Sequence, residues 1–185
     1  MFKIIVMGNS CVGKTSIVNR FVGDKFDHTH KATIAADFQT KHLNLHGNDI
    51  RLQIWDLVGM DTNFAAINRS FCRNASGALL VSDITDMCSL EDAGRWKEQV
   101  DQVVAMHGEP IPMVLAVNKV DLVLDKESKG ECEKYQQMEF LQQFAIQHGF
   151  IGVFRVSAKE NIDVANVFSM LTKEMLIKEL REMEN

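Results

Sequence analysis

Eight residues near the start of the chain, Gly8-Asn9-Ser10-Cys11-Val12-Gly13-Lys14-Thr15, limit what it can fold into. They fit the pattern GxxxxGK[ST]. An apolar run of strand length, Lys3–Met7, precedes them, and a helical stretch, Thr15–Val22, follows. In that context the glycines let backbone N–H groups of Ser10, Cys11, Val12, Gly13 and Ser16 curl around phosphate oxygens. The helix N-terminus adds about half a positive charge. Lys14 is expected to reach the outer phosphates, and the Thr15 hydroxyl to bind Mg²⁺. A random chain of this length matches the pattern about once in a hundred by residue frequency. ATPases, kinases and GTPases all use such a loop, so it does not by itself name the nucleotide.

The chain has 185 residues, which points to one domain spanning residues 1–185. Hydrophobic residues make up 46% and charged residues 24%, enough apolar material to repay the entropy of ordering. A net charge of −5 supplies no basic footprint, so no nucleic-acid partner is expected. No apolar run reaches membrane-spanning length, and the first one is too short for a signal peptide. Cys11, Cys72, Cys88 and Cys132 lie far apart with no CxxC, which reads as free thiols in a reducing compartment. Cys72, Cys88 and Cys132 are expected to be buried or inert, and Cys11 to matter through its backbone.

Strand-length apolar runs recur at Lys3–Met7, Arg51–Trp55, Ala78–Ser82, Met113–Val117 and Val153–Val156. Three are nearly continuous in apolar residues, which suits strands covered on both faces. Helical stretches alternate with them: Thr15–Val22, Leu90–Met106, Met138–His148 and Asn161–Glu182, with Gly149 placed as a helix stop. Trp96 and its apolar neighbours read as core. This alternation predicts an α/β fold with a doubly wound sheet of six mostly parallel strands and about five helices. The exception is Phe38–Leu45, joined to Arg51–Trp55 by His46-Gly47-Asn48-Asp49 as an antiparallel hairpin. Gly23–Lys31 and Asp125–Lys134 read as loops. His28 and His30 read as solvated loop residues, and His42, His46, His107 and His148 as surface residues without metal spacing.

Asn118-Lys119-Val120-Asp121 follows the strand ending at Val117. Ligands of doubly wound sheets bind at the carboxyl ends of strands. Asp121 can accept from an N–H and an NH₂ side by side, which guanine has and adenine lacks. The apolar stem of Lys119 can lie along the base. Ser157-Ala158-Lys159 follows the last strand at the same edge, where its N–H groups can meet the guanine oxygen.

Together these residues resemble a small GTPase of the Ras superfamily, and more closely the Rab family. Trp55-Asp56-Leu57-Val58-Gly59 resembles the family segment WDTAG, and Thr33-Ile34-Ala35-Ala36-Asp37-Phe38 resembles TIGVDF. Trp96-Lys97, Glu109-Pro110-Ile111-Pro112 and His148-Gly149-Phe150 resemble the Rab subgroup of lysosome-related organelles. The resemblance implies a P-loop G domain and a switch that binds GTP or GDP with Mg²⁺, hydrolyses GTP slowly and recruits effectors in vesicle traffic. It implies that Thr15 and Thr33 ligate Mg²⁺, that Asp56 holds it through water, and that Gly59 donates its N–H to the γ-phosphate. Phe26 would pack against the guanine. Residues 27–38 and 57–74 would be the two switches, ordered by the γ-phosphate. Phe38, Trp55 and Phe71 would form the apolar triad that effectors grip, and an exchange factor and a GTPase-activating protein would be further partners. The implied location is cytoplasmic, cycling to the cytosolic face of vesicles or endolysosomal organelles. Membrane attachment would come only through a C-terminal lipid anchor, which is missing from this chain.

The chain departs from the family pattern at Met60, where the family has the Gln that orients the attacking water. A thioether is a weak acceptor and no donor. Asp61, Val58 and Ala35 replace the usual Glu, Ala and Gly, and the second switch is one residue longer before Phe71. Slow intrinsic hydrolysis is therefore expected, with nucleotide binding intact. A nucleotide-binding module that does not cycle, and a P-loop phosphotransferase, are the competing readings.

Overall fold

The computed structural model describes residues 1–27, 37–45, 47–57, 59, 69–105 and 110–184. Its centre is β1 (Phe2–Met7), whose alternate side chains serve two different layers. Phe2, Ile4 and Val6 enter one apolar cluster, while Ile5 and Met7 enter the other. This period of two is what a strand buried on both faces requires. β3 (Asn48–Asp56) and β4 (Gly77–Asp83) pair with β1 in parallel on opposite sides. β5 (Met113–Asn118) and β6 (Gly152–Arg155) continue the parallel sheet, and β2 (Asp37–Leu45) adds an antiparallel edge. The strand order is β2-β3-β1-β4-β5-β6. The chain therefore reverses its winding direction at β1, and crevices for ligands open at such a point.

α1 (Lys14–Gly23) and α6 (Val164–Glu184) cover one face, where Phe21 stacks on Phe168 with ring centroids 3.9 Å apart. α3 (Met87–Ala105) and α5 (Met138–His148) cover the other, burying Trp96, Val100, Leu141 and Phe144 against β4 and β5. Two single-turn helices complete the described set, α2 (Arg69–Cys72) and α4 (Leu124–Ser128). The expected α/β architecture, with one antiparallel strand in a six-stranded sheet, is the one observed.

Several boundaries differ from the sequence reading, each for a local reason. α6 starts at Val164 rather than Asn161, because Asn161 and Asp163 hold left-handed φ values of 56° and 54°. α3 starts at Met87 rather than Leu90, because the Asp86 carboxylate accepts from the Cys88 N–H at 3.0 Å and caps the helix. The expected loop 125–134 contains most of α4 and runs into a 3₁₀ turn that starts at its last residue, Lys134–Gln136, closed by a reciprocal Glu133–Gln136 cap. Asn48 and Asp49 belong to β3 rather than to the hairpin turn. Gly149, at φ 72°, ends α5 as expected.

His148 is not a plain surface residue: its ring lies 4.3 Å from that of Phe144. His42 is exposed, as expected. The four cysteines are free; Cys72 is buried, Cys132 half-buried, and Cys11 and Cys88 exposed. Among the described residues no helix is long and apolar enough to cross a membrane. Residues Thr33, Ala35, Val58, Met60, Asp61, His28, His30, His46, Met106 and His107 lie outside the described residues.

Candidate nucleotide-binding site

The GxxxxGKT segment connects β1 to α1 at the reversal point of the sheet. Gly13 takes φ 96°, and a Cβ there would lie 2.3 Å from the Asn118 amide, so only glycine fits. The helix opens directly behind it, with Ile17 N–H donating to the Gly13 carbonyl at 2.9 Å. Ser10 and Cys11 are exposed on the loop, Val12 is buried beneath it, and Ser16 is half-buried on α1. Lys14 folds back over the loop, its Nζ donating to the carbonyls of Gly8 at 2.9 Å and Asn9 at 2.7 Å. The ammonium is thus parked across the phosphate cradle by two loop carbonyls.

Asp56 ends β3 beside the start of α1, and Thr15 Oγ1 donates to its Oδ2 at 2.5 Å. Its Oδ1 is buried without a hydrogen-bond partner among the described residues. Burial pushes the Asp56 carboxyl above the usual carboxylate range, against the Thr15 hydrogen bond and nearby Lys14. A buried carboxylate oxygen left unpaired beside a hydroxyl is a donor set that suits a hard divalent cation. Gly59 sits against the loop: a Cβ on it would lie 2.6 Å from Ser10 Cα, and its carbonyl accepts from Ser10 Oγ at 3.3 Å.

The residues expected to read the base converge from two strand ends. Asn118 donates through Nδ2 to the Val12 carbonyl at 2.9 Å, and its Oδ1 accepts from the Ala158 N–H at 3.2 Å. Ser157 Oγ donates to Asp121 Oδ1 at 2.6 Å, fixing the carboxylate, and accepts from the Glu160 N–H at 3.0 Å. Lys119, at φ 67°, pairs with Asp83 at 2.6 Å. The phosphate loop, Asn118, Asp121 and the Ser157–Lys159 segment therefore form one connected surface. Phe26 is half-buried and packs on the cluster containing Ile17 and Val18 of α1.

Two supports were not visible in the sequence. Arg20 on α1 donates to the carbonyls of Ala158 at 2.9 Å and Lys159 at 3.0 Å, clamping the Ser157–Lys159 segment. Asp83 at the end of β4 holds Lys119 and caps its own turn through Thr85. Both act over sequence separations that carry no periodic signal.

A second exposed feature lies on the β2–β3 ribbon. Phe38 and Trp55 are register partners with centroids 5.4 Å apart, and Phe71 lies 6.0 Å from Trp55. Lys3 Nζ sits 5.1 Å over the indole and donates to the Arg73 carbonyl at 2.9 Å. Phe38 is 54% exposed, while Trp55 and Phe71 lean on the core.

A sequence model of the Ras family matches residues 3–177. Ras-related protein Rab-32 of Homo sapiens is 36% identical over 179 residues, covering 96% of this chain and 76% of the relative. Rab-32A of Dictyostelium discoideum is 34% identical over 186 residues, covering 98% and 80%. Rab-7L1 of Homo sapiens is 32% identical over 178 residues, covering 95% and 83%. The match runs through both loops of the site and the sheet that carries them. The chain belongs to the Ras family as a Rab-type small GTPase, a GTP-binding switch of membrane traffic that works with effectors, exchange factors and GTPase-activating proteins.

Proposed function

We propose that the whole chain, residues 1–185, is a single G domain that binds GTP or GDP with Mg²⁺ and turns GTP over slowly. The observation that carries the cation is the buried, unpartnered Asp56 Oδ1 beside the Thr15 hydroxyl. Thr15 and Thr33 would hold Mg²⁺ directly and Asp56 through water. Held by these residues, the ion would supply positive charge against the negative charge of the phosphates. The N–H groups of Ser10 to Ser16 cradle the phosphates, Lys14 reaches the outer ones from its seat on the Gly8 and Asn9 carbonyls, and Gly59 donates to the γ-phosphate. Asp121, held by Ser157, reads the guanine edge; Lys119 and Phe26 flank the base, and Ala158 and Lys159 meet its oxygen.

Met60 stands where a Gln would orient the attacking water, and a thioether cannot donate to or firmly hold that water. Intrinsic hydrolysis is therefore about ten- to hundredfold slower than with Gln, or about 1.4–2.7 kcal/mol in barrier. An activating protein that supplies its own groups in trans leaves the switch able to cycle. The exposed Phe38, with Trp55 and Phe71, is the surface offered to effectors, and the setting is the cytosolic face of vesicles or of endolysosomal, lysosome-related organelles. Single-turnover GTP hydrolysis by the unaltered chain and by Met60→Gln tests this. The glutamine variant is expected to be faster by that factor; equal rates would remove the assigned role of Met60.

A further inference from the structure

Asn9 belongs to the phosphate loop, yet its side chain is engaged by α3. Its Nδ2 donates to Asp92 Oδ2 at 2.7 Å, and its Oδ1 accepts from Trp96 Nε1 at 3.2 Å. Its backbone carbonyl accepts from Lys14 Nζ at 2.7 Å. One loop residue therefore joins a helix 83 positions away to the lysine of the GxxxxGKT loop. The chemistry of the partners leaves no ambiguity in the amide. An indole N–H only donates and a carboxylate only accepts, so Asn9 has one fully paired orientation. Trp96 is 2% exposed and Asp92 8%, so any mismatch would be a buried one. The second Asp92 oxygen is occupied by Arg95 at 2.8 Å, which keeps the carboxylate turned toward the loop.

We propose that Asp92 and Trp96 are positioning residues for nucleotide retention: they hold Asn9, and through its carbonyl Lys14, in the shape that grips the phosphates. The inference rests on the reading of this loop as the nucleotide site. A contact that only steadies α3 would leave nucleotide release insensitive to the match between donor and acceptor at Asn9. A positioning contact makes release follow that match.

The test is the dissociation rate of a fluorescent GDP analogue from the full chain in magnesium buffer, with thermal unfolding of each variant run alongside. Asn9→Asp keeps the acceptor for Trp96 but sets two carboxylates face to face. It is expected to speed release about tenfold, the effect of losing a buried hydrogen bond to a charged group. Combining it with Asp92→Asn reverses the pair, restores complementarity and returns release to within about threefold of the unaltered chain. Trp96→Phe removes the indole N–H while keeping an aromatic ring, and speeds release by about three- to tenfold. Unaltered release in both Asn9→Asp and Trp96→Phe overturns the proposal, as does a double variant that releases as fast as Asn9→Asp. If the unaltered chain holds no GDP, the nucleotide-site reading falls first and takes this inference with it.

Discussion

The side-chain amide of Asn118 donates to the carbonyl of Val12 at 2.9 Å, tying the Asn118–Asp121 loop to the GxxxxGKT loop across 106 residues of chain. Its other atom accepts from the Ala158 N–H, so one buried amide joins three segments of the site. Asn118→Ala strands both partners. The expected cost is about 2–4 kcal/mol of stability, from two buried groups left unpaired. GDP release should accelerate as well, since the loops lose their common anchor. Chemical denaturation read beside nucleotide release checks this. A variant as stable as the parent would show that water takes over both bonds.

Asp121 is held by Ser157 Oγ at 2.6 Å, and on the proposed reading its carboxylate accepts from two adjacent guanine donors. Asp121→Asn exchanges an acceptor for a donor at nearly constant shape. Guanine nucleotides should then bind at least about a hundredfold more weakly. A base with a carbonyl in place of the guanine amine, xanthine, should recover part of that loss. Competition binding with GDP and xanthosine diphosphate measures both. Equal loss for the two bases would remove Asp121 from base reading.

Phe38 is 54% exposed and stacks on Trp55 across the β2–β3 ribbon. Phe38→Ala should lower the unfolding midpoint by no more than about 2 °C and leave nucleotide affinity within about twofold, because the ring buries little core. Proteins that bind the GTP-loaded chain in preference to the GDP-loaded chain should bind the variant about tenfold more weakly, as for an exposed aromatic anchor. Retained binding would move the effector surface elsewhere.

Arg155 grips Glu127 through two N–H···O bonds of 2.6 and 2.7 Å. These bonds hold the Glu127 carboxyl below its ordinary range, against a smaller push from burial. The folded-state pKa is depressed, so the pair's contribution is complete above the unfolded glutamate pKa of about 4.3. It is lost as pH falls through the folded value. Glu127 is partly exposed, so solvent screening keeps the effect small. Glu127→Gln should melt about 1–3 °C below the parent near neutral pH, with the gap closing below about pH 4. A gap independent of pH would assign the contact to packing alone.

The parts of the fold and of the candidate site that are legible in the sequence share one property: their signal is local. The phosphate loop, Asn118–Asp121 and Ser157–Lys159 are short runs at strand ends, and β1, β4 and β5 announce themselves as apolar runs. The supports were not legible because each joins residues far apart in sequence. Arg20 reaches Ala158 and Lys159, Asp83 reaches Lys119, and Asp92 with Trp96 reaches Asn9. Trp96 shows the point most clearly. Its helical spacing marked it correctly as core, yet no periodicity could say that its N–H would meet the phosphate loop. α4 was missed because its five residues are mostly charged and bury no side chain.

The most direct test is displacement of a fluorescent GDP analogue from the full chain in magnesium buffer by unlabelled GTP, GDP, ATP and ADP. GTP and GDP are expected to displace it at near-stoichiometric concentration, and the adenine nucleotides only at about a thousandfold excess or more, if at all. Displacement by ATP at the same concentrations as GTP would contradict the assignment of Asp121 and its neighbours as guanine readers.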